Sequence, residues 1–428
     1  MKTVKFYTLG CKVNQYETQV IREHFACAGF REIDNGKDEK ADIYVINTCT
    51  VTQTADRKSR YFIHRAHRQN SSARIVVTGC YAQLDSDSAE IAKIPGVSHI
   101  IKNEDKDKIL ELLNGHNGLN GINGLKPKGI SSFLEHSRAF LKLQDGCDNF
   151  CSYCKVPLVR GVLRSKPLDD IIQEAEGLVK NGFKEIVLCG ICLGSYGRDL
   201  NLKISLAEVT RQLENIPGLL RIRLSSIEPA YVSDELIDTI ACSKKLCRHL
   251  HIPLQSGDDE ILRKMNRHYS SRDFFKLIQK IKSRIPEIAI TTDVIIGFPG
   301  EKEINFKNTL GLIKEISPLK VHIFPYSPRK GTSAFGFRDR LRCELVKERI
   351  LRLKESAEIC AFNYKKQFIN KDMDVLIEGR SKQNNKYWEG YTDNYVKVWV
   401  KSDKNLKNQL ILLKLKRIVK DFILADLC

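Results

Sequence analysis

The most constraining feature of this 428-residue chain is an alternation of strand and helix patterns between residues 138 and 326. Six short runs rich in apolar and β-branched residues lie between helix-length segments, at 138–145, 184–191, 219–227, 248–255, 289–298 and 320–326. Strands that alternate with helices pair in parallel through right-handed crossovers. Six such units fall short of the eight that close a full barrel. We therefore predict a partial (βα)6 barrel with its active site at the carboxyl ends of the strands.

Three cysteines follow the first of these strands. Cys147, Cys151 and Cys154 are separated by three and then two residues. This spacing is too tight for a disulfide framework, and it suits a loop wrapped around one corner of a four-iron cluster, whose irons are bound by thiolates. A structural zinc site usually completes its shell with a nearby Cys or His, whereas the next cysteine is Cys189. We predict a [4Fe–4S] cluster with one open iron; zinc or a chance grouping is the alternative.

A second set of cysteines lies in the N-terminal part of the chain. Three apolar runs, each with the pattern of a buried strand, end immediately before Cys11, Cys49 and Cys80, and helix-length segments separate them. Because ligands bind at the carboxyl edge of a parallel sheet, the three thiols are expected to converge there. Three thiolates could hold a second cluster, again with one iron open. The alternative is three structural cysteines, since cysteine is commonly buried.

Composition narrows the class of protein. The 14 cysteines are far from the density of a secreted disulfide scaffold, the start lacks a signal-peptide pattern, and no apolar run is long enough to span a bilayer. We expect a cytoplasmic protein without a membrane partner. Lys and Arg number 70 against 52 Asp and Glu, a formal net charge of +18, which favours a polyanionic partner such as RNA. Part of this excess lies on a predicted helix at 54–69, whose basic residues could bind tRNA or simply be solvated.

The chain is predicted to contain four segments. Residues 1–113 form an α/β domain, and residues 114–130 form a linker in which an Asn-Gly-X triplet is repeated. Residues 131–369 form the barrel and end in a long charged helix from about 339 to 369, whose apolar spacing suits packing against the barrel through Leu341, Leu345, Ile350, Leu351 and Leu353. Residues 370–428 alternate apolar and polar residues, which indicates a small all-β barrel.

Aromatic and basic side chains are interleaved in the C-terminal segment. Such pairs suit base stacking and phosphate contact, and the alternative is an ordinary barrel core with surface lysines. The aromatic residues concerned are Tyr387, Trp388, Tyr391, Tyr395 and Trp399.

A CxxxCxxC loop after the first strand of a partial βα barrel resembles the radical S-adenosylmethionine superfamily. With the N-terminal cysteines and a C-terminal segment similar to a TRAM domain, the whole chain resembles the methylthiotransferases of that superfamily. Matching motifs stand at 8–17, 47–52, 55–60, 194–198, 251–257, 293–301 and 325–331. The resemblance implies two [4Fe–4S] clusters and S-adenosylmethionine as cofactors. The loop cysteines would bind the radical cluster, and the N-terminal cysteines an auxiliary cluster associated with the inserted sulfur.

The residues after Cys11 separate the branches of this family. Cys11-Lys-Val-Asn-Gln-Tyr-Glu17 resembles the branch that methylthiolates C2 of N6-threonylcarbamoyladenosine at position 37 of tRNA. The isopentenyladenosine branch typically reads Cys-Gln-Met-Asn there, and the ribosomal-protein branch Cys-Pro-Lys-Asn. The resemblance implies the tRNA anticodon loop as partner and an electron donor such as flavodoxin or ferredoxin, with the sulfur donor unidentified. The two other substrates remain alternatives, as does an RNA-binding protein whose clusters only sense redox state.

Several polar residues are placed at strand ends by the predicted barrel. Glu228 follows the third strand, Gln255 the fourth, and Gly297 the fifth, where side chains and backbone face a substrate. We predict that Glu228 and the Gly297 loop contact S-adenosylmethionine; each could instead be a capping or turn residue. Cys189 and Cys192, where the family would read Thr-Gly-Ile-His or similar, are interpreted as a substitution in a packed site rather than a redox pair.

Overall fold

The computed structural model describes residues 2–36, 39–114, 129–133, 137–201 and 204–428. The chain divides into two compact units: unit 1 comprises residues 1–134, 140–178 and 327–335, and unit 2 comprises residues 135–139, 179–326 and 336–428. Nearly all of the predicted Asn-Gly linker lies outside the described residues. The four-segment division stays a prediction. Within the described ranges, no helix is long and apolar enough to cross a bilayer.

Unit 1 is built on a parallel sheet with the strand order β2-β1-β3-β4-β5. The strands are β1 (Thr3–Thr8), β2 (Arg31–Glu32), β3 (Ile43–Thr48), β4 (Arg74–Gly79) and β5 (Val97–Ile101). The helices of this region are α1 (Lys12–Cys27), α2 (Gln53–Gln69), α3 (Asp85–Ala92) and α4 (Ile109–Asn114). The three predicted strands, β1, β3 and β4, are confirmed. Strands β2 and β5 were not predicted, because one has two residues and the other is only partly buried.

The centre of this sheet is covered on both faces. Successive residues of β3 alternate between two apolar cores: Tyr44 and Ile46 belong to one, and Ile43 and Val45 to the other. A strand buried on both sides reads as a continuous apolar run. This explains why the sequence around 43–48 shows β-branched residues without a polar alternation.

The cysteine loop of unit 1 lies between two paired strands. Strand β6 (Arg138–Asp145) pairs antiparallel with the short strand β7 (Arg164–Ser165) through Gln144 and Asp145. Helix α5 (Val156–Arg160) lies between the loop and β7, and helix α6 (Leu168–Lys180) follows. The antiparallel pair brings the two ends of the loop together.

Unit 2 contains the later βα units. Its strands are β8 (Glu185–Gly190), β9 (Arg221–Leu224), β10 (His249–His251), β11 (Ala289–Ile296) and β12 (Lys320–Pro325). Its helices are α7 (Leu206–Glu214), α8 (Asp234–Cys242), α9 (Asp259–Lys264), α10 (Ser271–Arg284), α11 (Glu303–Ile316) and α12 (Cys343–Lys366). Strand β8 pairs in parallel with β9, and β10, β11 and β12 pair in parallel in that order. All five predicted strands are confirmed with shorter bounds.

Helix α12 differs from the prediction in length and in the face that it buries. It is shorter than the predicted segment of 339–369, and its buried apolar side chains are Leu353, Ala357, Cys360 and Tyr364. The prediction that Leu353 packs inward is confirmed, and the prediction for Leu351 is wrong, because its side chain is 59% exposed. The spacing i, i+4, i+7, i+11 of the buried set defines a neighbouring face of the helix.

The C-terminal part of unit 2 is a closed barrel with the strand order β13-β14-β15-β17-β16. These strands are β13 (Asp372–Arg380), β14 (Tyr387–Thr392), β15 (Lys397–Lys401), β16 (Leu410–Val419) and β17 (Phe422–Leu427). Its core includes Val375, Val398, Leu413 and Ile423. The predicted class, α/β with parallel sheets and a small all-β barrel, is confirmed.

Candidate functional site

The three N-terminal cysteines lie together at the carboxyl edge of the unit 1 sheet. The register pairs Thr8 with Asn47 and Thr48 with Gly79, so the chain leaves β1, β3 and β4 at nearly the same level. A β-carbon placed on Gly10 would lie 2.9 Å from the Sγ of Cys49, which shows how closely the turn before Cys11 approaches that thiol. Three thiols from distant parts of the sequence are thus brought to one place.

The amide of Asn14 fixes the strand ends that carry these thiols. Its Nδ2 donates to the carbonyl oxygen of Leu9 at 2.7 Å and to that of Thr48 at 2.8 Å. In return, Asn47 Nδ2 donates to the carbonyl oxygen of Asn14 at 3.0 Å. Because both strand ends are tied to one buried side chain, the backbone just before Cys11 and Cys49 is held in a defined position.

The electrostatics of this edge make metal binding at Cys49 depend on the loss of a proton. Burial raises the pKa of the Cys49 thiol to about 12, and the neighbouring Cys80 and Cys11 thiols add to that rise. An iron ion must therefore displace a proton from Cys49, so cluster binding couples to proton release. Sulfur donors are the soft ligands that iron–sulfur clusters use. Three neighbouring thiols at a sheet edge can bind three of the four irons of a [4Fe–4S] cluster.

The CxxxCxxC loop is held at both ends by backbone hydrogen bonds. The N–H of Cys147 donates to the carbonyl oxygen of Gly161 at 3.1 Å, and the N–H of Cys154 donates to that of Cys151 at 3.0 Å. The carbonyl oxygen of Ser152 accepts from Ala334 N–H at 2.8 Å. The three cysteines are half-buried, and the Phe150 side chain between them is 63% exposed. An anchored loop with accessible thiols fits the second cluster.

A buried arginine, which sequence reasoning did not single out, joins the two cysteine sets of unit 1. Arg160 ends α5, and its Nε donates to Cys80 Sγ at 3.2 Å. Its Nη1 donates to Glu17 Oε1 at 2.5 Å and to Asp145 Oδ2 at 3.3 Å, and its Nη2 donates to Asn14 Oδ1. Burial alone would raise the pKa of Glu17, but Arg160, Lys106 and Lys142 outweigh it and hold that pKa well below its usual range.

The two residues predicted for S-adenosylmethionine lie in unit 2. Glu228, beyond β9, accepts a hydrogen bond from Arg267 Nη2. Gly297, beyond β11, has a φ of 77° and donates its N–H to Glu301 Oε2 at 3.2 Å. A β-carbon there would lie 2.6 Å from Val346 Cγ2. The turn and the packing against α12 therefore each require glycine, and the cofactor contact stays a prediction.

Three polar side chains meet on neighbouring strands of unit 2. Ligand atoms of His251, Asp293 and His322 all lie within 4.8 Å of one another. His251 Nε2 is 3.2 Å from Asp293 Oδ2, and His251 Nδ1 is 2.9 Å from Thr291 Oγ1. Sequence reasoning missed His322. The parallel register, in which Asp293 is opposite His322, is the information that places it here.

The structure agrees with one of two other sequence interpretations and contradicts part of the second. Cys189 and Cys192 are both buried, which agrees with a packed site. The interpretation of the barrel aromatics as a base-stacking surface is wrong for the two tryptophans, because Trp388 lies in the barrel core and Trp399 stacks on Phe422 at 3.8 Å between ring centroids. Strand alternation turns Trp388 inward, as the alternative interpretation required, whereas Trp399 lies between the core residues Val398 and Val400 and is buried on the other face of the strand.

Two protein-family models match separate parts of this chain. Residues 3–101 match the model of an uncharacterized protein family, UPF0004, and residues 141–313 match that of the radical SAM superfamily. The radical S-adenosylmethionine methyltransferase TsrM from Kitasatospora setae is similar in fold, with a TM-score of 0.55, 14% identity, and coverage of 85% of this chain and 89% of that one. The fold and the cysteine loop thus define a radical S-adenosylmethionine enzyme, which implies a [4Fe–4S] cluster and S-adenosylmethionine.

Curated relatives narrow the class to a family. The chain is 40% identical to the threonylcarbamoyladenosine tRNA methylthiotransferase MtaB of Bacillus subtilis, over 97% of this chain and 94% of that protein. It is 39% identical to the protein of the same name from Thermotoga maritima, over 93% and 91%. It is 36% identical to the tRNA-2-methylthio-N(6)-dimethylallyladenosine synthase of Clostridium tetani, over 90% and 87%. The chain belongs to the radical S-adenosylmethionine methylthiotransferase family and is an enzyme that transfers a methylthio group.

Proposed function

We propose that this protein inserts a methylthio group at C2 of N6-threonylcarbamoyladenosine, at position 37 in the anticodon loop of tRNA. Relatives that are 40% and 39% identical along almost the whole chain are named for threonylcarbamoyladenosine tRNA methylthiotransfer. The observation that carries the proposal is the convergence of Cys11, Cys49 and Cys80 at one sheet edge, in addition to the CxxxCxxC loop. One cysteine set suits radical generation, and the other supplies a place for sulfur.

Each cysteine set is assigned one [4Fe–4S] cluster. Cys147, Cys151 and Cys154 bind the radical cluster, and Cys11, Cys49 and Cys80 bind the auxiliary cluster. When bound, the clusters and S-adenosylmethionine supply a 5′-deoxyadenosyl radical, a sulfur atom and a methyl group for reaction at C2 of the adenine. The chain's part is to offer three thiolates on each site from an anchored backbone, so that one iron of each cluster keeps a coordination position for a non-protein ligand.

Two residues of unit 2 are proposed as further contacts of S-adenosylmethionine. The Glu228 carboxylate is oriented by Arg267 and keeps lone pairs that can accept hydrogen bonds from hydroxyl or amino groups. Gly297 forms a turn at the carboxyl end of β11, where ligands bind in folds of this kind. An electron donor such as flavodoxin or ferredoxin is proposed as a partner.

Dimethylallyladenosine, the isopentenylated base, is the second candidate substrate. It is supported by the 36% identity to the Clostridium tetani synthase. The threonylcarbamoyl substrate is favoured because the residues from Cys11 to Glu17 resemble that branch, and because the identities to the MtaB relatives reach 40%. The two substrates share the adenine that reacts and differ only in the group on N6.

The substrate assignment is tested with the anaerobically reconstituted enzyme and a reductant. Two tRNAs are compared, one with N6-threonylcarbamoyladenosine and one with isopentenyladenosine, and nucleosides are analysed by mass spectrometry. We expect the methylthio product from the first tRNA only, because residues 11–17 resemble the branch that acts on threonylcarbamoyladenosine. Product from the isopentenyl tRNA alone would overturn the assignment and favour the second candidate. Deoxyadenosine without either nucleoside product would also contradict it.

Helix α2 supplies a basic surface in unit 1 that suits the tRNA backbone. Of its five Lys and Arg residues, Arg57, Lys58 and Arg68 are exposed, and they flank Tyr61, whose side chain is 53% exposed. The other two cations have internal roles: Arg60 Nη1 donates to Tyr81 Oη at 2.6 Å, and Arg65 lies over the Tyr7 ring. Three exposed cations beside an exposed ring fit phosphate contact and base stacking.

Reversing two of these exposed charges is expected to weaken tRNA binding. In the Arg57→Glu/Lys58→Glu variant, two phosphate contacts are lost, so the slope of log K against log salt becomes shallower by about 1.4 to 1.8. The matched control is Lys347→Glu/Lys354→Glu, which reverses two exposed lysines of α12 and changes the net charge equally. The measurement is tRNA affinity by fluorescence anisotropy over a salt series. Equal slopes in the α2 variant and the wild type would show that the α2 face is only solvated.

A further inference from the structure

We propose that Arg160 is a positioning residue for the auxiliary cluster: its Nε–H···S hydrogen bond to Cys80 sets the reduction potential of that cluster. The inference rests on the proposed function, because it requires a cluster on Cys11, Cys49 and Cys80. The contact is direct, with Arg160 Nε 3.2 Å from Cys80 Sγ, and the guanidinium is fully buried. Hydrogen bonds to cluster sulfurs are among the factors that set iron–sulfur potentials.

The charges around Arg160 leave one positive charge for the thiolate. Three buried cations surround two buried carboxylates in this network, and the exposed Arg164, 4.0 Å from Asp145, is left out of the count because solvent screens it. Glu17 contacts all three cations, and Asp145 contacts two of them. The cations are Arg160, Lys106 and Lys142, and the sum over the five groups is therefore one positive charge. Because Arg160 is the member that reaches sulfur, this excess is directed at Cys80. A reduced cluster carries one more electron, so a nearby buried cation stabilises the reduced form and raises the potential.

The guanidinium is held in an orientation that only arginine can supply. Nη1 donates to Glu17 and Asp145, Nη2 donates to Asn14 and Glu17, and Nε is left to face Cys80. The donors of an arginine lie in one rigid plane, so fixing the two Nη groups also fixes the direction of Nε–H. A lysine keeps the positive charge but carries three rotatable donors on one nitrogen, so bonds to the two carboxylates would not fix the direction of a donor to sulfur.

The Arg160 side chain also connects the cysteine loop to the carboxyl edge of the unit 1 sheet. Asp145 lies two residues before Cys147 and Arg160 six residues after Cys154. Arg160 therefore binds the residue at one end of the loop while it contributes the other end itself, and it donates to Cys80 from that position. A change at Arg160 is expected to act on the auxiliary site through Cys80.

The test uses the full chain in a background without the radical cluster, Cys147→Ala/Cys151→Ala/Cys154→Ala, reconstituted anaerobically. Iron content is measured first, and the midpoint potential follows from a redox titration monitored by electron paramagnetic resonance. We expect Arg160→Gln to shift the potential downward, and Arg160→Lys to shift it downward by less. The control is Arg164→Gln, an arginine whose side chain is 56% exposed and 4.0 Å from the Asp145 carboxylate, and it is expected to leave the potential unchanged.

The outcomes separate this inference from the function on which it rests. A background protein without iron would mean that no auxiliary cluster exists, and the proposed function fails. An Arg160→Gln protein with full iron and an unchanged potential overturns the role of Arg160 alone. If neither Arg160 variant retains iron, Glu17→Gln decides. The glutamine keeps an Oε1 acceptor for Arg160 Nη1 and removes one negative charge, so an upward shift supports the proposal and an unchanged potential rejects it.

Discussion

A Cys147→Ala variant is expected to lose S-adenosylmethionine cleavage, with 5′-deoxyadenosine falling to the level of an assay without enzyme. The loop provides three thiolates, one for each of three irons. With only two thiolates the protein would no longer hold the cluster in the geometry that leaves a single iron open to S-adenosylmethionine. The backbone of the loop is not expected to unfold, because Cys147 is held through its N–H bond to Gly161, which alanine retains. The measurement is chromatographic quantification of deoxyadenosine after anaerobic reconstitution.

The control for this variant is Cys27→Ala, which removes an exposed cysteine at the end of α1 and is expected to keep full cleavage. The comparison also separates an enzyme from a redox-sensing RNA-binding protein. A sensor would bind tRNA and make no deoxyadenosine even as wild type. If the Cys147→Ala protein produced deoxyadenosine at the wild-type rate, the loop would not be needed for S-adenosylmethionine cleavage.

The triple variant Cys11→Ala/Cys49→Ala/Cys80→Ala is expected to separate radical formation from sulfur insertion. Iron should fall from roughly eight to roughly four per chain, since one of two four-iron clusters is lost. Deoxyadenosine formation should persist, because the CxxxCxxC loop is intact, whereas the methylthio nucleoside should disappear. Iron and sulfide analysis, deoxyadenosine assay and nucleoside mass spectrometry are performed on the same preparation.

A matched triple, Cys189→Ala/Cys192→Ala/Cys247→Ala, removes three buried cysteines of unit 2 instead. It is expected to keep roughly eight irons and the methylthio product. If the N-terminal triple keeps the same iron content as wild type, Cys11, Cys49 and Cys80 are structural residues. The protein would then be a radical enzyme whose sulfur comes from elsewhere.

Much of the site follows from the order of strands along the chain. A cysteine placed directly after each of three buried strands must lie at one sheet edge when the strands are parallel, and the register of β1, β3 and β4 shows this. The CxxxCxxC loop is similarly local, because its three thiols are fixed by spacing alone. These parts of the candidate site depend on short-range pattern and on topology, which are the information a single sequence carries best.

Other parts depend on contacts that no local pattern records. Arg160 meets Glu17 and Cys80 across separations of 143 and 80 residues, so nothing around position 160 indicates its partners. The inward face of α12 was misjudged at Leu351 because two neighbouring helix faces both carry apolar residues. Trp388 and Trp399 differ from the stacking interpretation because one lies in the barrel core and the other is covered by Phe422, and neither contact is visible in the local sequence. In each case tertiary packing decided between two patterns that the sequence allowed.

A glycine with a left-handed φ stands immediately before three of the six proposed ligands: Gly10 before Cys11, Gly79 before Cys80 and Gly146 before Cys147. An added β-carbon would lie 2.4 Å from the Thr48 carbonyl oxygen at Gly79, and 1.9 Å from that of Val162 at Gly146. At these three sites the structure therefore requires a Gly-Cys pair rather than a cysteine alone. A single substitution cannot shift such a ligand by one position along the chain, because the cysteine and the glycine turn before it would both have to move.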